Sequence, residues 1–176
     1  MKVVGIDQSL NGTGFAYRDG DAVMTGRVDP KKLRGIPRLS YIKRTITEVL
    51  DYAHPDIAVM EEYAFSGGGG GRVFHIGEIG GVLKILLWER GIDVIIVGNK
   101  TMKRFIAGKG NAEKPEMVAA IKNRFGLIVD SHDEADGCGL MLTGEAWMGI
   151  GPPDLVKEVQ KAKKGIEVIP GGTRRT

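Results

Sequence analysis

Three short apolar runs, Lys2–Ile6, Ile57–Met60 and Val94–Val97, constrain this chain more than any other feature. Each is short enough to be a buried strand rather than a helix. The segments between them carry helical spacing. Leu39, Ile42, Ile46, Val49, Leu50 and Ala53 mark an amphipathic helix from Arg38 to Ala53. Ile76, Ile79, Leu83 and Leu86 mark the buried stripe of a second, from about Arg72 to Arg90. Helical returns of this length make the three runs parallel strands. Ahead of the first return, Asp19-Gly20 joins Phe15–Arg18 to Ala22–Val28 as a hairpin. The expected fold class is therefore α/β, with a five-stranded mixed sheet of order 3-2-1-4-5 flanked by helices.

Beyond the fifth strand, Gly98–Gly110 reads as a loop holding Lys100, Lys103, Arg104 and Lys109. A helix follows from about Ala112 to Phe125, with Gly126 as its C-cap. The last helix starts near Ser131, where Ser131 and Glu134 have the spacing of a capping box. At 176 residues the chain has room for one ordinary domain, read as residues 1–150. Pro152-Pro153, Gly171-Gly172 and scattered lysines make residues 151–176 a loosely attached or flexible tail. No apolar run is long enough to span a bilayer, and the opening residues do not read as a secretory signal. The single cysteine, Cys138, excludes an internal disulfide framework, so a cytoplasmic location is expected. A net charge of +3 permits nucleic-acid binding without arguing for it.

Ligand sites in open α/β sheets lie at the carboxyl ends of the strands. Here two of those ends carry acids, Asp7 and Glu61. Either alone is more often an ordinary solvated strand end. Asp133 and Asp136, three apart in the last helix, share a face and border its apolar side. Asp133 could simply complement the helix dipole, an explanation that serves Asp136 less well. Four such acids would repel one another unless divalent cations lay between them. An all-oxygen donor set indicates Mg²⁺ or Mn²⁺ rather than zinc. A two-metal arrangement hydrolyses phosphodiesters. Nothing in the sequence shows that the four acids converge.

These segments, in this order, resemble the RuvC-type Holliday junction resolvases from residue 1 to about 149. VVGIDQSLNGTGFA resembles the opening strand and hairpin, with Asp7 at the position of the catalytic aspartate. AVMEEYAF is similar to the second acidic motif and places the glutamate at Glu61. Ile76–Val82 is similar to a glycine-containing helix of the family, with Gly77 kept. KRFIAGKGNAEK matches a segment with a lysine at each end, here Lys103 and Lys114, and HDEAD resembles the closing pair, Asp133 and Asp136.

The resemblance implies an RNase H-like nuclease that cuts four-way and other branched DNA by symmetric phosphodiester hydrolysis. It implies two Mg²⁺ per site, with Mn²⁺ as a substitute, and a homodimer. Asp7, Glu61, Asp133 and Asp136 would be catalytic metal ligands. Lys114 would be catalytic beside them and contact DNA, with Lys103 gripping its backbone. Arg104 and Lys109 lie on the same stretch after the fifth strand and could contact DNA too, although lysines in such a loop are more often simply solvated. The compact chain resembles the phage-encoded branch, which would place it in a host cytoplasm.

The pattern departs from the family after Glu61. Five glycines, Gly67–Gly71, stand where bacterial members have a longer loop with an aromatic that acts at the junction centre. Tyr63 and Phe65 are both candidates for that contact, and packing over a helix end explains them equally well. His132 could ligate metal or orient water, though a helix N-terminal histidine needs neither. Lys31, Lys32, Arg34, Arg38, Lys43 and Arg44 would extend the DNA surface, or merely form a polar face. Other classes stay open: a nuclease acting on structured RNA, a non-catalytic junction-binding protein, and a phosphotransferase of the actin and sugar-kinase type. The last normally needs twice this length.

Overall fold

A computed structural model of the chain describes residues 1–62, 70–163 and 166–172, residues 70–73 by their backbone. In chain order these form β1 (Val3–Asp7), β2 (Thr13–Asp19), β3 (Ala22–Val28), α1 (Gly35–Ala53), β4 (Ile57–Glu61), α2 (Gly70–Glu89) and β5 (Asp93–Val97). There follow α3 (Asn99–Ala107), α4 (Lys114–Phe125), α5 (His132–Trp147), α6 (Pro153–Ala162) and β6 (Glu167–Ile169). The strands make one sheet in the order β3-β2-β1-β4-β5-β6. β1, β4 and β5 are parallel, whereas β2, β3 and β6 join antiparallel. This is the expected mixed sheet with one further strand at its edge.

Both faces of the sheet are covered, and strand alternation sorts the side chains between them. Val4, Ile6, Ala58, Met60, Val94 and Ile96 face α1 and α2, meeting Ile42, Ile46, Leu50, Ile79, Leu83 and Leu87. Val3, Ile57, Val59, Ile95 and Val97 face the opposite layer of α3 to α6. By the same alternation Gly5, Asp7 and Glu61 point toward that second layer. Its central helix, α5, is buried along nearly its whole length. Cys138 lies there, and burial pushes its thiol up to about 12, so it stays protonated and inert. Among the described residues no helix is long and apolar enough to cross a membrane.

Four expectations need correction. The supposed loop after β5 contains α3, because Met102, Phe105 and Ile106 fall on one helical face and bury there, between Gly98 and the left-handed Gly108. The tail is packed, not loose, where it is described: Leu155 and Val159 of α6 are buried, and β6 pairs along β5 from Ile96↔Glu167 to Val94↔Ile169. Ile76 is 38% exposed, and Leu87 takes its place in the buried stripe of α2. Ser131 does accept from the Glu134 amide, but Glu134 accepts in return from the Asp130 amide and from Thr25. The reciprocal capping box belongs instead to Glu113 and Glu116, which start α4 at Lys114.

Candidate active site

The site forms at the carboxyl edge of the sheet, where pairing register fixes its base. Ile6 pairs with Met60, so Asp7 and Glu61 extend from neighbouring parallel strands, which lie ~4.8 Å apart. On the other side Asp7 pairs with Gly14, and Gly14 with Arg27. Asp7, Gly14 and Arg27 therefore form one row across three strands, all directed toward α5.

Two glycine contacts lower α5 onto this row. A Cβ at Gly5 would lie 2.1 Å from the Gly137 carbonyl oxygen, and one at Gly14 would lie 1.8 Å from the Asp133 carbonyl oxygen. Helix and sheet backbones thus touch, and the first turn of α5 sits over Gly14. Asp133 and Asp136 are brought to Asp7 by that approach.

The electrostatics record the convergence. Asp7 is held well above the usual carboxylate range, first by burial, then by the negative charges of Glu61, Asp136 and Asp133, with Lys114 opposing. Glu61 is also raised, mainly by burial, against a hydrogen bond from Asn99 and the charge of Lys103, with Asp136 adding to the rise. Burial raises Asp136 too, while Lys103, Lys114 and His132 pull it down and Asp133 pushes it up. The four acids and the two lysines expected from the sequence therefore occupy one neighbourhood.

Three further side chains hold the acids, and the sequence reading gave none of them a role. Gln8 is buried and grips the backbone of Glu61 twice: its Nε2 donates to the Glu61 carbonyl at 2.5 Å, and its Oε1 accepts from the Glu61 amide at 3.3 Å. Asn99, the first residue of α3, donates from Nδ2 to Glu61 Oε2 at 2.8 Å. Arg27 donates from Nε to Asp133 Oδ2 at 2.5 Å. Position gave the available signal: Gln8 follows Asp7, Asn99 lies two residues past the end of β5, and Arg27 is the penultimate residue of β3, which runs in the same direction as β1.

The remaining candidates separate. Lys114, His132, Asp133 and Arg27 line one open cavity of about 450 Å³. Lys109 is ion-paired with Glu116 at 2.5 Å, and Arg104 is exposed on α3. Tyr63 and Phe65 lie outside the described residues.

The donor set suits a hard divalent cation. Several desolvated carboxylates face one another with only partial neutralisation by lysine, a charge excess that such a cation removes. Among the described residues, though, no three acidic or histidine side chains form a closed metal-holding group as they stand. Arg27 engages Asp133 and Asn99 engages Glu61, so a cation held by these carboxylates would have to draw them together.

Comparison with known proteins bears on the same residues. The family described as crossover junction endodeoxyribonuclease RuvC matches residues 3–143. A curated RuvC from Chlorobium phaeovibrioides is 26% identical, covering 94% of this chain and 92% of its own. One from Hahella chejuensis is 29% identical over 65% of this chain and 69% of its own. In fold, the chain is similar to Thermus thermophilus RuvC solved in complex with a Holliday junction substrate, at TM-score 0.71 and 24% identity, covering 85% of this chain and 96% of the other. It is more distantly similar to the yeast mitochondrial Holliday junction resolvase, at TM-score 0.55 and 13% identity, covering 93% of this chain and 82% of the other. With a match that runs from the start of β1 past Asp136 and through every motif singled out in the sequence, the chain belongs to the RuvC family of crossover junction endodeoxyribonucleases.

Proposed function

We propose that this protein is a divalent-metal-dependent endonuclease that resolves four-way DNA junctions and cuts related branched DNA. The observation that carries the reading is the meeting of Asp7, Glu61, Asp133 and Asp136 at one sheet edge, within a family-matched segment. These four would hold the cations, Mg²⁺ with Mn²⁺ as a substitute, two per site. Bound there, such cations supply an activated water and neutralise the leaving oxygen of a phosphodiester.

The protein's own side chains do the rest. Gln8 and Asn99 fix Glu61, and Arg27 fixes Asp133. Lys114 and Lys103 stand within electrostatic reach of the acids and offset phosphate charge that builds beside them. Arg104 and Lys109 continue the phosphate-contacting surface along α3 and the segment after it, Lys109 by exchanging Glu116 for phosphate. Tyr63 and Phe65 are the candidates for contact at the junction centre. The nuclease unit is residues 1–150, with α6 and β6 packed onto its core and the edge of its sheet.

Symmetric cleavage needs two sites related by a two-fold axis. Helix α2 offers the surface for it. Phe74, Ile85 and Trp88 are 76%, 58% and 54% exposed, and Gly77 and Gly81 on the same stripe face open space. A second copy laid along this stripe would bury it and leave both acidic edges accessible.

The test is cleavage of a synthetic four-way junction with and without Mg²⁺, with structured RNA as a parallel substrate. Expected are paired symmetric nicks in the DNA that require metal, and an Asp7→Asn variant that binds the junction but does not cut. Cleavage by Asp7→Asn at near the parent rate, or cleavage of the RNA alone, overturns the assignment.

A further inference from the structure

Arg27 lies two strands from Asp7 in the row that supports the first turn of α5. Its guanidinium is anchored on three sides. Nε donates to Asp133 Oδ2 at 2.5 Å, Nη2 donates to the Asn11 carbonyl at 2.9 Å, and Nη1 lies 3.6 Å from Asp29 Oδ2. Gly12 leaves room for this contact and for nothing else: a Cβ there would sit 2.3 Å from Arg27 Nε and 2.4 Å from Asp133 Oδ2. The pair is also partly shielded, with Arg27 37% and Asp133 25% exposed. A guanidinium stays charged across the whole working pH range, so its field on Asp133 is permanent.

We infer that Arg27 is a positioning residue for the cation site: it holds Asp133 by Oδ2, leaves Oδ1 for the cation, and lowers cation affinity through its own positive charge. No described residue hydrogen-bonds Oδ1, so that oxygen is the free face of the carboxylate. The remaining anchors keep Arg27 in place when a cation arrives, so the two positive groups share one carboxylate. The charge weakens binding while the anchored fork fixes where the ligand stands. A residue with a purely structural role would not separate these two effects. The inference rests on the reading of Asp133 as a metal ligand.

Mn²⁺ titrated calorimetrically into the metal-free protein tests it, alongside junction cleavage at saturating metal. Arg27→Gln should bind Mn²⁺ about tenfold more tightly, as expected from removing a like charge at a partly exposed site. The same variant should cleave more slowly, because Asp133 is no longer held. Arg27→Lys keeps the charge without the fork, so its affinity should match the parent while its cleavage is slowed. In an Asp133→Asn background, Arg27→Gln should raise Mn²⁺ affinity by less than in the parent, since the two positive groups no longer share that carboxylate. Unchanged or weaker binding by folded Arg27→Gln overturns the inference, as does a gain of equal size in the Asp133→Asn background. Should Arg27→Gln fail to fold, tighter binding by Arg27→Lys overturns it instead. A parent chain that takes up no Mn²⁺ overturns the metal reading, and this inference with it.

Discussion

Glu61 is fixed at three atoms by two amide side chains. Gln8 takes its backbone amide and carbonyl, and Asn99 takes Oε2. The Asn99 bond favours the charged carboxylate, while burial works against it. Removing that bond should therefore do two things at once: free the side chain to turn and lift its proton affinity further. Asn99→Ala is expected to weaken Mn²⁺ binding or cleavage by about 10–100-fold, the usual cost of losing a group that orients a metal ligand. The loss should be larger near pH 6 than near pH 8, since protons compete better for a carboxylate raised above its ordinary value. Calorimetric titrations at the two pH values check this, and an equal loss at both would sink the electrostatic half of the argument. At this scale the acids themselves were legible, because strand ends and helix faces can be counted along the chain. Their holders were not. Gln8, Asn99 and Arg27 are ordinary polar residues whose partners lie 53, 38 and 106 positions away.

Elements show the same division between local pattern and long-range placement. Helices α1 and α4 were legible from apolar spacing and from the left-handed cap at Gly126, and the hairpin from Asp19-Gly20. Helix α3 was obscured because its two lysines and one arginine equal in number the three residues it buries. The packing of α6 and β6 was hidden by flanking prolines and glycines, since the gain comes from burying Leu155 and Val159 and from pairing with the edge of β5. The seating of α5 needs Gly5 and Gly14 on the sheet to meet its backbone, a match between distant segments that no window reveals. Helix α2 carries the clearest remaining consequence. Its exposed Ile85 and Trp88 lie away from the face that buries Ile79, Leu83 and Leu86. Burying aromatic and aliphatic anchors is what stabilises a two-fold interface. In the proposed dimer, the pair Ile85→Glu and Trp88→Glu is expected to weaken self-association by about 30-fold or more, while leaving the monomer folded. Sedimentation analysis reads this directly; self-association unchanged in the double variant removes α2 as the proposed interface. Paired nicking of a junction should become single, uncoupled nicking in the same variant.

Across the whole molecule, the acidic edge is a built-in source of instability that its chemistry requires. Asp7, Glu61 and Asp136 are each raised, with burial the largest cause in every case. In the unfolded chain these carboxyls return to ordinary values of about 4. Between that value and their raised ones, the folded state holds more protons than the unfolded state, so folding stability falls as pH rises. Glu116 and Asp154 act in the opposite sense, lowered chiefly by hydrogen bonds from Lys109 and Arg124. Their contribution is lost only as pH falls below the ordinary carboxylate value, so the two effects occupy different pH windows. Thermal unfolding of metal-free protein from about pH 4.5 to 8 should therefore show a melting temperature that declines toward neutrality, the ordinary carboxyls having already ionised. Mg²⁺ should reverse much of the decline, because a cation bound only by the folded state stabilises it. Asp7→Asn removes the most strongly raised group together with its repulsion of the other three. That variant should melt higher than the parent at neutral pH without metal, show a shallower pH slope, and gain less from Mg²⁺. If it melts lower at neutral pH with an unchanged slope, the site's repulsion is not what limits the stability of the fold.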